Sequence, residues 1–525
     1  MLKLDRWVHP ALMLLWISLG TVLRFAYLDA KPLWNDELAT MVFSLGNSLR
    51  TIPLDQPIAL DTLLAPLQPN PIHGLSDVAD RLLTESTHPP VYFILTHLWL
   101  KLFPGDLASA WAARSLSALL GVMAIPAMFG LGWLGFRSRW AGQSAAALMA
   151  VSPYGIYLAQ EARHYTLAVL LIIASLSCLM VAVRSPVSLP LWLCLAWVGI
   201  NGLGVATHYF FVLVLMAEAV ALIALWGYWN KRLYGVAIAT VLSILIWLPV
   251  WRSVPENELT QWIYDKDFLS NGIAPLGRLA AWMLSMVAML PVEGVPVGVA
   301  IASAVAVVAA MLGLWPTLLR GLKLMPDRSR SALLTVWLAA IALMLCVTYG
   351  FQADLTIAAR YQFIYFPGLL ALIAGAFART PQLKALLFLG LLGSLTVVTN
   401  YGYQKSDRAD QLIPIIRAAS AVPVLIATAH QTHEQTRELM GLAVEYRRQS
   451  PLSGSEPPQF LLAHLQPDSN SAVEMLQDVV ARSPRPFDLW TVNFLPTVQP
   501  VVPTCRLDTG DRPLMHGYDY RLYHC

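Results

Sequence analysis

Apolar runs long enough to cross a bilayer recur along most of this chain, separated by short polar turns. A helix needs about 20 apolar residues to span roughly 30 Å of hydrocarbon. Runs of that order stand near 9–28, 113–135, 140–160, 164–183, 188–206, 208–229, 233–251, 297–318, 331–350, 360–378 and 383–400, which predicts eleven transmembrane helices. Two further runs are too short to cross. Val91–Phe103 would reach about 20 Å as a helix. Its His97 and Lys101 are four apart and face away from Ile94, Leu95, Leu98 and Leu102, the pattern of a helix lying in the interface. The run 278–290 stops at Pro291 and Glu293.

Basic residues set the expected orientation, because lysine and arginine collect in cytoplasmic turns. With the N-terminus cytoplasmic, those turns hold Lys3/Arg6, Arg137/Arg139, Arg184, Lys231/Arg232, Arg320/Lys323/Arg328/Arg330 and Arg379/Lys384. Counting Val91–Phe103 as a span would turn every basic turn from Arg137 onward outside, so the loop charges support the interfacial reading independently. The loop 29–112, the loop 252–296 and the tail beyond 400 then fall on the extracytoplasmic side. The first apolar run follows Lys3 and Arg6 as a signal peptide would. It lacks a small-residue cleavage site and is read as a retained helix.

The tail changes character. Val422–Ala427 is a short apolar run, Glu434–Arg448 and Ala472–Arg482 are helix-like, and Phe460–Leu465, Phe487–Phe494 and Tyr518–Tyr523 are strand-like. The alternation predicts a small α/β domain. The expected fold is therefore an α-helical polytopic membrane domain over 1–400, with its first extracytoplasmic loop at 29–112, and an extracytoplasmic α/β domain over 401–525.

Composition agrees. Of 525 residues 57% are hydrophobic and 13% charged, about half the charge of a soluble globular protein. A net charge of +3 gives no reason to expect a nucleic-acid partner. Cys178, Cys194 and Cys346 lie in apolar runs, which leaves Cys505 and Cys525 as the pair placed for a disulfide.

Ionisable side chains at membrane depth are costly and mark candidate sites. Asp36 and Glu37 follow Trp34 just past the first span. They are either a solvated acidic pair beside an interfacial tryptophan or a carboxylate base for an acceptor hydroxyl. His88, in Thr87-His88-Pro89-Pro90, either only opens a helix, where proline suits the first turn, or also lines a site. Glu161, Arg163, His164 and Tyr165 sit between two apolar runs with almost no loop. They are either a neutralised helix turn or an arginine clamp for a lipid phosphate, whose oxygens match guanidinium geometry. Arg360, next to Tyr361, is either a snorkelling cation or a second phosphate ligand. His208, in Thr207-His208-Tyr209, reads first as structural. All are expected on one side of the membrane, in the order of one pocket.

The segments "LDAKPLWNDE", "HPPVYF" and "SPYGIYLAQEARHYTL" together resemble the GT-C membrane glycosyltransferases. Within them the group is the protein O-mannosyltransferase and aminoarabinose-transferase-like family, family 39. The resemblance covers residues 1–230 with usable motifs, extends to 400 without a further quoted motif, and does not reach the tail. It implies a polyprenyl-phosphate sugar donor and reaction on the extracytoplasmic face. It implies Asp36 as the catalytic carboxylate, Glu37 as its neighbour, His88 as the histidine of the His-Pro-Pro element and Arg163 as a phosphate contact. Protein mannosyltransferases carry Gly-Lys shortly after His-Pro-Pro, whereas Val91-Tyr92-Phe93 stands here, so a protein acceptor is not implied.

The expected reaction is a single displacement. Asp36 deprotonates the acceptor hydroxyl, on a lipid, glycan or protein, while Arg163 and Arg360 stabilise the leaving lipid phosphate. Nothing in the sequence demands a metal, although the Asp36/Glu37 pair could hold a divalent one. The rivals are a transporter or flippase of lipid-linked sugars, which would tend to show internal repeats and broken helices at the midplane, a membrane scaffold, and an oligosaccharide transferase of the same superfamily. A bacterial chain of this kind would sit in the inner or plasma membrane.

Overall fold

The computed structural model describes residues 5–184, 189–225, 231–253, 263–264, 272–402, 407–449, 456–466, 470–494 and 500–525. Lys3 and part of the loop 252–296 lie outside them. The chain forms two compact units, one of Met1–Leu28, Ser86–Leu95 and Arg114–Tyr403, the other of Asp29–Glu85, Thr96–Ala113 and Gln404–Cys525.

The first unit is helical. Five helices among the described residues are long and apolar enough to cross a membrane: Trp7–Phe25, Ala110–Phe136, Tyr165–Arg184, Val297–Leu324 and Asp327–Gly350. Shorter apolar helices include Leu191–Val205, Phe211–Leu225, Phe366–Phe377 and Leu383–Thr399. Large apolar side chains such as Ile223, Ile238, Val305 and Leu312 stand exposed, far beyond what water tolerates on one surface. The chain is an integral membrane protein.

The run 140–160 is not one helix. Arg139–Ala150 ends, and Pro153–Ala159 begins after the cap Ser152, whose Oγ accepts the Gly155 N–H at 3.1 Å. Pro153 has no N–H and disfavours helical backbone in the residue before it. The carbonyls released at the break must find other donors in a medium without water. The Arg24 guanidinium donates to the carbonyls of Met149 (2.8 Å) and Ala150 (3.2 Å), and Ser394 Oγ donates to that of Val151 (2.8 Å). Arg24 is fully buried, and its task is to close this break. The run 360–378 likewise begins as the 3-10 turn Ala359–Ile364 and becomes α-helical at Phe366–Phe377.

Buried Glu218, on Phe211–Leu225, joins a polar knot between helices. Ser175 Oγ lies 2.8 Å from Glu218 Oε2 and 3.0 Å from Asn201 Oδ1, and it accepts the Trp197 indole N–H at 2.9 Å. Polar groups buried in lipid are drawn to one another, and these side chains meet across three helices, with Glu218 engaged through Oε2.

The second unit holds a five-stranded sheet: β1 (Val424–His430), β2 (Gln459–His464), β3 (Asp488–Val492), β4 (Arg506–Leu507) and β5 (Tyr520–His524). Their order is β2-β1-β3-β5-β4; β1 pairs parallel with β2 and β3, and β5 pairs antiparallel with β3 and β4. Helices His433–Gln449 and Ser471–Arg482 make the crossovers that parallel strands require. Alternate residues Leu425, Ala427, Leu461, Ala463 and Leu489 pack with Leu476 and Val480.

The first loop belongs to this unit. Ile58 and Phe460 exchange both backbone hydrogen bonds at 2.9 Å, and the Asp55 N–H donates to the Leu462 carbonyl at 3.0 Å. The loop thus covers the edge of β2, which would otherwise offer unpaired backbone groups. In the helix Val91–Leu100 the expected faces are exchanged. His97 is buried, with Nδ1 2.8 Å from the Ser44 carbonyl, while Leu98 and Leu102 are exposed.

Cys505 and Cys525 are joined, 20 residues apart. Closing a loop of that size stabilises by about 3 kcal/mol, so Cys505→Ser/Cys525→Ser should lower the tail's unfolding free energy by that order. Thiol labelling of intact cells, with and without reductant, tests the setting. Labelling only after reduction, by an impermeant reagent, is the outcome expected of an oxidised extracytoplasmic tail. Protection until the membrane is broken would refute that location.

Candidate functional site

The residues singled out in the sequence gather into two clusters, one in each unit.

In the first unit, the chain between Pro153–Ala159 and Tyr165–Arg184 is a tight non-helical turn carrying Gln160, Glu161, Arg163 and His164. Gln160 Nε2 donates to the carbonyls of Leu23 (3.1 Å) and Ala26 (3.0 Å), at the end of the first helix, where carbonyls lack intrahelical partners. The Arg163 N–H donates to the Glu161 carbonyl at 2.7 Å, and the Arg163 carbonyl accepts from Ser117 Oγ at 3.0 Å, itself 2.7 Å from the Tyr92 hydroxyl. Glu161, Arg163 and His164 are all buried.

Arg163 Nη2 lies 2.8 Å from His88 Nε2. A guanidinium only donates, so Nε2 accepts and the ring proton of neutral His88 sits on Nδ1, which faces Ser86 Oγ at 3.0 Å. The His-Pro-Pro segment thereby fixes the arginine head group.

Aromatic rings continue from here. His164 packs between His88, Tyr165 and His208 at centroid distances of 5.4, 4.6 and 4.7 Å. His208 meets Phe363 at 4.8 Å, and its Nδ1 accepts the Phe210 N–H at 3.1 Å. Arg163 lies over the Tyr165 ring and Arg360 over the Tyr361 ring, at 5.7 and 5.5 Å. The Tyr154 hydroxyl donates to the Ala359 carbonyl at 3.0 Å, tying the broken helix to the turn that carries Arg360. Asp354 pairs with Arg278. Both ring nitrogens of His164 are buried without a hydrogen-bond partner among the described residues.

In the second unit, Asp36 and Glu37 open the helix Asn35–Ser44 and diverge. Glu37 is fully buried, and its Oε2 accepts the Trp34 N–H at 3.4 Å, the reach-back of a residue three positions into a helix. The Asp36 side chain keeps 23% of its surface exposed, and its Oδ1 lies 3.5 Å from Arg437 Nη1. Adjacent residues on a helix point about 100° apart, and Glu37 is engaged in its cap. The pair therefore does not fit one divalent ion. No group of three or more His, Cys, Asp or Glu side chains suited to a metal occurs among the described residues.

Arg437 was not legible as a site residue. It reads as one more charge on an amphipathic tail helix. In the structure it is mostly buried, donates to the carbonyls of His433 (3.2 Å) and Asn35 (3.3 Å), and meets Asp36. Its neighbour Glu438 accepts from Asn493 Nδ2 at 3.3 Å. Burial pushes the Glu438 carboxyl up to about 7, against the Asn493 amide, with Glu434 and Asp407 adding to the rise. A carboxyl raised in the folded state holds its proton there longer than in the unfolded chain. Its stabilisation is full below the ordinary carboxyl range and is lost as pH rises through about 7. Glu438→Gln should therefore be more stable than wild type at pH 8 by on the order of 3 kcal/mol, and match it near pH 4. Melting curves of the full chain across that range check this.

No protein-family model matches the chain, and no curated protein sequence does. Among solved structures, the chain is similar to apo ArnT from Cupriavidus metallidurans, at 13% identity and TM-score 0.52, over 99% of this chain and 98% of that one. ArnT bound to undecaprenyl phosphate aligns at TM-score 0.49, with 13% identity and 97% of each chain covered. The Archaeoglobus fulgidus oligosaccharyltransferase aligns at 0.48 and 12% identity, over 84% of this chain and 64% of that one. The first likeness spans nearly all of both chains, and it shows the fold: this protein has the architecture of ArnT, an aminoarabinose transferase of the GT-C superfamily.

Proposed function

We propose that this protein is a membrane glycosyltransferase that moves a sugar from a polyprenyl-phosphate carrier to an acceptor hydroxyl on the extracytoplasmic face. The observation that carries the reading is the Arg163–His88 contact at 2.8 Å. Two motif segments 75 residues apart hold one buried guanidinium, within a fold shared with a transferase.

Arg163 is the ligand for the donor phosphate, with Arg360 the second cation of the same unit. A buried guanidinium already held by a neutral histidine needs no reorganisation as charge grows on the leaving phosphate. His164, with both ring nitrogens unpartnered, is the group that meets sugar or phosphate oxygens. Tyr165 and His208 hold it by ring packing, and Glu161 shapes the turn. Asp36 is the base: it stands in the first turn of its helix beside Arg437, whose charge favours the carboxylate. Glu37 orients that helix through its cap. The acceptor attacks the anomeric carbon, the bond to the lipid phosphate breaks, and Asp36 receives the acceptor's proton.

The reading carries the topology with it: eleven spans, the N-terminus cytoplasmic, the first loop and the 401–525 tail extracytoplasmic, and donor and bilayer as standing partners. The transporter or flippase alternative gains nothing from a fold shared with a transferase. Mass spectrometry of glycolipids and envelope glycans in a deletion strain is the direct test. Loss of one sugar modification, restored by wild type and not by Asp36→Asn, is expected. Loss of the modification with donor accumulated on the cytoplasmic side, rather than the extracytoplasmic one, would favour a flippase.

A further inference from the structure

At one end of the helical unit the structure forms a cleft of about 700 Å³ that neither cluster uses. That volume is within the range of small-molecule sites, about 300–1,000 Å³. The cleft lies where helix ends converge: the C-termini of Ala110–Phe136, Val297–Leu324 and Phe366–Phe377, and the N-terminus of Arg139–Ala150. In a bundle of membrane-spanning helices such a place lies at the boundary of hydrocarbon and head groups.

Its walls are of two kinds. Phe136, Leu324, Met325 and Ala376 are apolar, whereas Arg320 and Arg379 bring two cations to the same cleft. Among the described residues neither guanidinium has a hydrogen-bond or ion-pair partner. Nearby Arg330, by contrast, is engaged by Asp327 and by the Leu322 carbonyl. Ser138 adds a hydroxyl whose oxygen already accepts the Ala141 N–H as a helix cap. That helix end favours negative charge.

The floor is built by close approach. A Cβ at Gly321 would stand 2.2 Å from the Ala376 carbonyl oxygen, and one at Gly375 would stand 2.8 Å from the Phe136 ring. Glycine at both positions lets the helices meet below the cleft while leaving it open above.

We propose that this cleft binds one anionic phospholipid, its phosphate on Arg320 and Arg379 and its acyl chains along the apolar wall. Two cations beside an apolar surface at a helix-bundle boundary match a charged head group joined to hydrocarbon. A zwitterionic lipid would bring its own cation against the arginines. The site does not depend on the transferase reading.

The test is native mass spectrometry of the full chain in detergent, titrated with phosphatidylglycerol or phosphatidylcholine. One phosphatidylglycerol should be retained at least about tenfold more tightly than phosphatidylcholine. Arg320→Gln/Arg379→Gln should lose that preference, and Ala378→Phe, which fills the cleft without changing charge, should lose the bound lipid. Arg328→Gln, an exposed arginine outside the cleft, should behave as wild type. Equal retention of both lipids, an unaffected double variant, or equal loss in Arg328→Gln overturns the proposal. Displacement of the lipid by inorganic phosphate alone would make the ligand a free anion and overturn it too.

Discussion

Asp36→Asn should lower sugar transfer by at least about 100-fold, since general-base catalysis contributes about 10²–10⁴-fold. Asparagine keeps the size and most of the hydrogen bonding but cannot accept a proton at neutral pH. Donor binding should change little, because the phosphate ligands proposed above, Arg163 and Arg360, lie in the other unit. The measurement is transfer rate together with donor binding in purified protein. Near-normal transfer would end the claim that this carboxylate is the base, and lost donor binding would move Asp36 from chemistry to architecture. Two companions sharpen the result. Glu37→Gln should act mainly through stability, since its carboxylate serves a helix cap. Arg437→Ala should move the acidic limb of the pH–rate profile upward, because removing the cation 3.5 Å from Asp36 favours its protonated form. Arg437→Lys should restore most of that shift.

The second large effect concerns Arg163. Removing one preorganised donor to developing charge costs about 10²–10³ in rate, so Arg163→Ala should lose at least the lower figure. Arg163→Lys keeps the charge but loses the planar fork. It should fall between Ala and wild type, with weaker donor use. The His88 contact supplies an internal check: His88→Ala should weaken donor use less than Arg163→Ala, because it frees the guanidinium without removing it. Melting temperature and membrane insertion, measured alongside, separate a folding defect from a catalytic one. Wild-type turnover of polyprenyl-phosphate donor in both arginine variants would leave Arg163 with a purely structural role.

Much of the candidate site was visible in one sequence because membrane depth makes charge conspicuous. Arg163 and His164 stand out between apolar runs, and the structure does bring them to His88 and His208. The same rule applied to Arg24 and Glu218, which also lie inside apolar runs. No neighbouring motif marks either one, and in the structure Arg24 donates to the carbonyls of Met149 and Ala150 while Glu218 Oε2 meets Ser175 Oγ. Asp36 and Glu37 looked like a matched pair. Their neighbourhood in sequence hid the helical rotation that sends one into a cap and the other toward an arginine.

By itself the sequence determined the solvent of each segment. Twenty-residue apolar runs have no stable place but lipid, and the alternating tail has no stable form but a covered sheet. Those consequences follow from composition and period, which are local. Tertiary structure alone decided what lies beside what. The helix break at Pro153 is written locally, yet the donors that close it come from positions 24 and 394. The edge of β2 is closed by Asp55–Ile58 from the first loop, and Asp36 acquires Arg437 from about 400 residues away. Hydrogen-bond partners of buried groups are set by three-dimensional proximity, which no period along the chain encodes.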